Sequence, residues 1–167
     1  MKLTLRALDP EVQLADFNCG VPALDQWLRR QARQAQRKRL ASVWIAFPAE
    51  EPDGMVGYYS LAPWQVAFED CPEVLRERLP RYPLHVTLIA RLAVASAHQR
   101  QGIGGMLLAD ALKRAWQADR TVPVQAVIVH AKDERAVDFY RNHGFLSFPQ
   151  QPLHLFLPMR SIASMFG

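Results

Sequence analysis

The stretch Leu84–Val94 is an almost uncharged run of aliphatic residues, interrupted only by His85 and Arg91. Its apolar residues occupy both alternating faces, so a strand formed here is buried on both sides. Shortly after it, beyond residues 95–98, comes Gln99-Arg100-Gln101-Gly102-Ile103-Gly104, followed by Gly105. Residues 104–119 then carry Leu107, Leu108, Ala111, Leu112, Ala115 and Trp116 at helical spacing, which predicts a helix packing one face on a sheet. A buried strand, a glycine turn and an amphipathic helix in this order call for an α/β layered domain.

The remaining elements agree. Residues 3–8 alternate like an opening strand that Asp9-Pro10 stops. Asn18-Cys19-Gly20 predicts a turn, and Pro22 opens one helix through Leu24, Trp27, Leu28, Ala32 and Ala35. Residues 42–47 and 55–68 read as a hairpin joined by the acidic turn at residues 50–54, with Pro63 expected to bend or end the second arm. A short helix over residues 72–79, a strand over 124–129, a helix over Glu134–Asn142 closed by Gly144, a strand over 153–158 and a frayed tail at 161–166 complete the prediction. With 167 residues, half of them hydrophobic, the expectation is a single domain over residues 1–167.

No apolar stretch reaches the roughly 20 residues of a spanning helix, and residues 1–6 lack a signal-peptide pattern, so a soluble, cytoplasmic protein without membrane association is expected. Cys19 and Cys71 stand far apart with no CxxC or Cys/His cluster, which points to neither a disulfide framework nor a metal site. The net charge of +4 is local. Residues 26–49 hold no acid but contain Arg29, Arg30, Arg33, Arg37, Lys38 and Arg39; without these six, the chain has 14 basic and 16 acidic residues. At ~100° per residue, Arg29, Arg30, Arg33 and Arg37 fall opposite the apolar face of their helix. They face solvent or a partner. Because no acids are interleaved for i,i+4 pairing, contact with nucleic-acid phosphates is the favoured reading. Arg91 either adds to that contact or forms an internal salt bridge.

A pyrophosphate-binding loop needs main-chain N–H groups aimed inward, and glycine lets the backbone approach closely or take positive φ. Gly102, Gly104 and Gly105 supply that freedom at a helix N-terminus, where the helix dipole favours anions. Gln99 and Arg100 add side-chain donors at the rim. No Gly-Lys-Ser/Thr follows, so this is not a P-loop, and its late position argues against a Rossmann fingerprint.

Ala90-Arg91-Leu92-Ala93-Val94 followed by Gln-x-x-Gly-x-Gly resembles the cofactor motif of GNAT acetyltransferases. Ala136-Val137-Asp138-Phe139-Tyr140-Arg141-Asn142-His143-Gly144-Phe145 resembles their later Ala-x-x-Phe-Tyr-x-x-x-Gly-Phe signature. Three further segments are similar to the acetyltransferase toxins of bacterial toxin–antitoxin modules, the TacT/AtaT-like group. These are Phe17-Asn18-Cys19-Gly20 with Leu24-Asp25-x-Trp27-Leu28, Gly57-Tyr58-Tyr59-Ser60-Leu61, and Leu155-Phe156-Leu157-Pro158-Met159. The similarity spans nearly the whole chain.

The resemblance implies a mixed central sheet, splayed at the acetyl-CoA site, with helices on both faces. Main chain of Leu92, Ala93 and Val94 would pair with the pantetheine arm, and Gln99, Arg100, Gln101, Gly102, Ile103, Gly104 and Gly105 would hold the pyrophosphate. Many members carry Asn three residues before the alanine of the second motif; here Asp133 stands at that cofactor position. Tyr140 is the expected catalytic residue, giving a proton to the departing thiolate, since a phenol of pKa near ~10 stays protonated at neutral pH. No base stands out among His85, His98, His130, His143 and His154. The toxin resemblance implies acetylation of the α-amine of aminoacyl-tRNA, translation arrest, a ribbon-helix-helix antitoxin and a homodimer. A small-molecule amine or protein N-terminus as acceptor, and a non-catalytic acyl-CoA-binding module, remain the alternatives.

Overall fold

The computed structural model describes residues 1–51 and 54–167. Pro52 and Asp53 of the expected acidic turn lie outside the described residues. Among the described residues seven strands are present: β1 (Leu3–Ala7), β2 (Ser42–Pro48), β3 (Gly57–Val66), β4 (Leu84–Val94), β5 (Ala126–His130), β6 (Leu146–Phe148) and β7 (Gln151–Pro158). Six α-helices accompany them among the described residues: α1 (Pro22–Arg30), α2 (Ala32–Arg37), α3 (Glu73–Arg76), α4 (Ile103–Asp119), α5 (Glu134–Asn142) and α6 (Met159–Phe166). The strand order is β1-β2-β3-β4-β5-β7-β6. β4 and β5 are parallel, whereas β1–β2, β2–β3, β5–β7 and β6–β7 are antiparallel, so the sheet is mixed. The parallel pair is joined through α4, as parallel strands require a crossover. No helix among the described residues is long and apolar enough to cross a membrane.

Two compact units divide the chain: residues 1–62 with 90–111, and residues 63–89 with 112–167. In the first, the apolar faces of β2, β3 and α1 meet, with Leu28, Val43, Ile45 and Tyr58 sealed from solvent. Successive side chains on β3 leave opposite faces of the sheet. Tyr58 donates to the Leu24 carbonyl of α1 (2.8 Å), and Tyr59 donates to the Asp110 carboxylate of α4 (2.5 Å). Thus α1 and α4 cover opposite faces there.

In the second unit, β5 and β7 pair from Ala126↔Pro158 to His130↔His154, with Val127, Ile128, Leu155 and Leu157 buried. The C-terminal tail is not frayed. It forms α6, whose Ile162 is fully buried and whose Phe166 stacks on Trp116 (5.6 Å).

Two other expectations are corrected. The arginine-rich segment is not one helix: the chain leaves helical geometry at Gln31 (φ −122°, ψ −23°), whose N–H still closes onto the Trp27 carbonyl. Pro63 does not end β3, which runs to Val66. Pairing with β2 ends at Leu61, so on that side the missing N–H of Pro63 removes no ladder bond.

Candidate active site

The strand–loop–helix segment forms as its sequence suggests. The β4–β5 register covers Thr87–Ile89 against Val127–Val129, and β4 then runs on through Leu92 and Ala93 to Val94. After a single 3₁₀ turn at Ser96–His98, the chain enters the glycine loop. Gly102 takes φ +80° and Arg100 φ +63°, so left-handed residues flank Gln101 on both sides. For arginine that conformation costs about 1–2 kcal/mol, and such strain collects at ligand-binding turns. Gly104 and Gly105 have a different role from Gly102. They lie within the first turn of α4, whose leading N–H groups, from Ile103, Gly104 and Gly105, have no carbonyl in the preceding turn to accept them. Three main-chain donors at the start of a 17-residue helix are the donor set an anionic diphosphate requires.

The flanking motifs prove to be scaffolding for this loop. Gln99, expected at the rim as a phosphate donor, instead gives its Nε2 hydrogens to the carbonyls of Val94 (3.0 Å) and Cys19 (2.9 Å). The Ser96 N–H donates to the Asn18 carbonyl (2.8 Å). The turn at residues 18–20 is itself held by buried Asp25, which accepts from the Cys19 N–H (2.9 Å), and by Asn18 Oδ1, which accepts from the Gly20 N–H (2.9 Å). Gly57 is there because nothing larger fits: a Cβ would stand 2.7 Å from the Ala93 carbonyl oxygen, on the strand that leads into the loop. The adjacent Ala95 N–H donates to the Val56 carbonyl (2.8 Å).

Arg91 is half-buried, with its guanidinium 3.7 Å above the Trp27 ring, which in turn stacks on Tyr58 (6.2 Å, 9°). A cation–π interaction stands where an internal salt bridge was one expectation. Burial pulls its pKa down, and the facing Tyr58 opposes that, but a guanidinium stays charged throughout. The other arginines separate into two groups. Arg29 donates to the Phe17 carbonyl (2.8 Å), and Arg33 donates to the carbonyls of Val12 and Asp9. These two hold the segment before α1 in place and do not simply face outward. Arg30 and Arg37 are exposed.

In the second unit, Asp133 caps α5. It takes an extended backbone, and its Oδ1 accepts the Ala136 N–H (2.9 Å). One oxygen of the expected cofactor residue is therefore engaged in the helix. Tyr140 is buried between Phe139 (5.1 Å) and Phe145 (5.4 Å), and burial pushes its phenol well above the ordinary tyrosine value. It is therefore protonated at neutral pH. Gly144, at φ +94°, closes α5 as expected.

The glycine turn that opens α4 and the Tyr140 segment of α5 are the two motifs by which the sequence resembles acetyl-CoA-dependent acyltransferases. The profile of the acetyltransferase (GNAT) family matches residues 11–145, and the chain belongs to that family. It is similar to the tRNA-acetylating toxin of Mycobacterium tuberculosis, 34% identical over 163 residues that cover 97% of this chain and 95% of that protein. Among solved structures it resembles AtaT complexed with acetyl-methionyl-tRNAfMet, with a TM-score of 0.90 and 26% identity over 99% of this chain and 100% of that one. It also resembles a tyrosine-to-phenylalanine variant of AtaT bound to the C-terminus of the antitoxin AtaR and acetyl-CoA, with a TM-score of 0.81 and 26% identity over 99% of each chain.

Three structural features escape sequence reasoning. Trp27 as the platform beneath Arg91 has no local signal. Gln36 accepts from the Val43 N–H and donates to the Leu8 carbonyl, tying α2 to β2. His130 and His154 meet only through strand register, which no single segment reveals.

Proposed function

We propose that this acetyl-CoA-dependent N-acetyltransferase is a toxin that acetylates the α-amine of aminoacyl-tRNA and so blocks translation. Acetyl-CoA supplies the activated acetyl thioester. The chain's part is to hold and position it: the N–H groups of Ile103, Gly104 and Gly105 donate to the pyrophosphate, the exposed Arg100 and Gln101 side chains border it, and main chain of Leu92, Ala93 and Val94 receives the pantetheine arm. Asp133, which caps α5, is the residue that the family resemblance puts at a cofactor position. The single observation that carries this half is the glycine turn, left-handed at Gly102, that opens directly into the N-terminus of α4.

Tyr140 is the proposed acid. Protonated at neutral pH, its Oη–H can be given to the departing sulfur. The acceptor assignment is supported by full-length similarity to a tRNA-acetylating toxin and by the exposed cations Arg30 and Arg37, with Arg91 presented on Trp27. Arg29 and Arg33, expected on the same surface, are instead taken up by the carbonyls of Phe17, Asp9 and Val12, so the reading rests on Arg30 and Arg37. An aminoacyl ester lowers the pKa of its α-amine, so no side-chain base is needed. A ribbon-helix-helix antitoxin and a homodimer complete the proposal, on the family resemblance.

The test is incubation of the protein with labelled acetyl-CoA and total charged or deacylated tRNA. Label is expected on charged tRNA alone; label on neither overturns the acceptor assignment. In the same assay Tyr140→Phe should bind acetyl-CoA as the wild type does and lose about 10²–10⁴-fold in kcat. A wild-type rate would remove Tyr140 from the chemistry.

A further inference from the structure

The acetyl-transfer chemistry leaves unused a row of rings in the second unit. His130, at the end of β5, stands directly across from His154 on β7, and their imidazoles stack with centroids 3.9 Å apart and planes 20° from parallel. Trp64, on β3, meets His130 at 5.6 Å and 80°. Phe148, on β6, meets the other end of the row at His154 (6.1 Å, 85°). Cross-strand ring pairs stabilise sheets, but they do so best where they exclude water. This row does not: Trp64 is 47% exposed, His130 is exposed, and only Phe148 at the far end is buried. Burial of part of its ring, and then the neighbouring His154, hold His130 below the ordinary histidine pKa. At neutral pH it therefore offers a neutral aromatic face and not a cation.

We infer that Trp64, His130 and His154 form a stacking platform for the unpaired 3′-terminal bases of the acceptor strand. The inference rests on the aminoacyl-tRNA reading and deepens it. Single-stranded RNA is gripped by aromatic side chains because every base has a π-face, and such stacking is tolerant of sequence. A platform of this kind suits an end whose nucleotides precede every amino acid alike. Lys132, exposed two residues beyond His130, supplies a cation for the accompanying backbone. Trp64 and the two histidines are positioning residues: they place the acceptor and take no part in proton transfer.

The experiment compares wild type, Trp64→Leu and Trp64→Phe, each checked for an unchanged melting temperature. Two readouts are taken: steady-state acetylation of charged tRNA, and direct binding of deacylated tRNA either intact or trimmed of its unpaired 3′ nucleotides. Stacking of one base is worth ~1–3 kcal/mol, so Trp64→Leu should raise the KM for charged tRNA by at least about fivefold, with kcat and the KM for acetyl-CoA unchanged. Trp64→Phe should recover most of the loss. Wild type should bind intact tRNA more tightly than trimmed tRNA, and Trp64→Leu should erase that difference. Label on charged tRNA with no change of KM in Trp64→Leu, or equal weakening toward intact and trimmed tRNA, overturns the platform; the latter assigns the rings to another partner, such as a protein. Absence of label with the 3′-dependent binding difference intact overturns the acceptor assignment alone.

Discussion

Two regions of the first unit deal with negative charge in opposite ways, the glycine loop through its main chain and the arginine-rich helices through their side chains. At the loop, the donors are N–H groups whose directions are set by Gly102 at φ +80° and by the first turn of α4. A backbone donor cannot swing away to another acceptor. In α1 and α2 the charge sits on long, adaptable guanidinium groups, and two of them have found acceptors at home: Arg29 on the Phe17 carbonyl, Arg33 on those of Asp9 and Val12. The side-chain amide beside the loop behaves likewise, since Gln99 ties Val94 to Cys19. The difference teaches that a glycine pattern reports availability for a ligand, whereas a count of cations reports only charge.

The sharpest way to break that comparison is to disturb the backbone beneath the loop. Gly57→Val would put a Cβ where the Ala93 carbonyl oxygen is 2.7 Å away, with the Leu107 side chain at 3.0 Å. Main chain cannot rotate aside as a side chain can, so β3 must move from the end of β4. The expected result is about 2–3 kcal/mol of lost stability by thermal denaturation, and a KM for acetyl-CoA raised tenfold or more in the surviving folded protein. A folded variant with normal acetyl-CoA kinetics would mean that the loop does not depend on this close approach. Arg33→Ala should come next in size. It removes charged donors from two loop carbonyls, for about 1–2 kcal/mol of stability, yet leaves the salt dependence of tRNA binding nearly unchanged. The opposite pattern, stability intact and a shallower salt slope, would return Arg33 to the ligand surface.

How far the sequence can be read follows the same division. The bounds of β4 and α5 are legible because a two-faced apolar run, and a helical stripe ended by Gly144, are local signals. The break at Gln31 is not, since neither glycine nor proline marks it. β6 escapes because three residues carry too little pattern and exist as a strand only by pairing with β7. α6 reads as a tail in the sequence, because the burial of Ile162 depends on a surface supplied from elsewhere in the chain. Within the site, the glycines and Tyr140 announce themselves by motif. The role of Gln99 cannot be foreseen, because its partner carbonyl at Cys19 lies 80 residues away. Arg91 stands out as an isolated charge on an apolar strand, but no local signal shows that its neighbour is the face of Trp27 and not an acid.

The smallest effect makes the finest test. Arg37 is exposed in the last turn of α2, and a cation there also interacts favourably with the helix C-terminus. Removing that interaction costs only a few tenths of a kcal/mol. Arg37→Gln keeps length and hydrogen-bonding capacity while deleting the charge, so melting temperature should hardly move. If Arg37 neutralises a phosphate, deleting its charge makes the slope of log affinity against log salt shallower by about one. Binding of charged tRNA measured across a salt series should therefore show that change for Arg37→Gln and none for Arg33→Ala. Equal slopes for wild type and both variants would take Arg37 off the phosphate surface. That outcome would leave the glycine loop untouched, because its donors belong to the backbone and bind a different molecule.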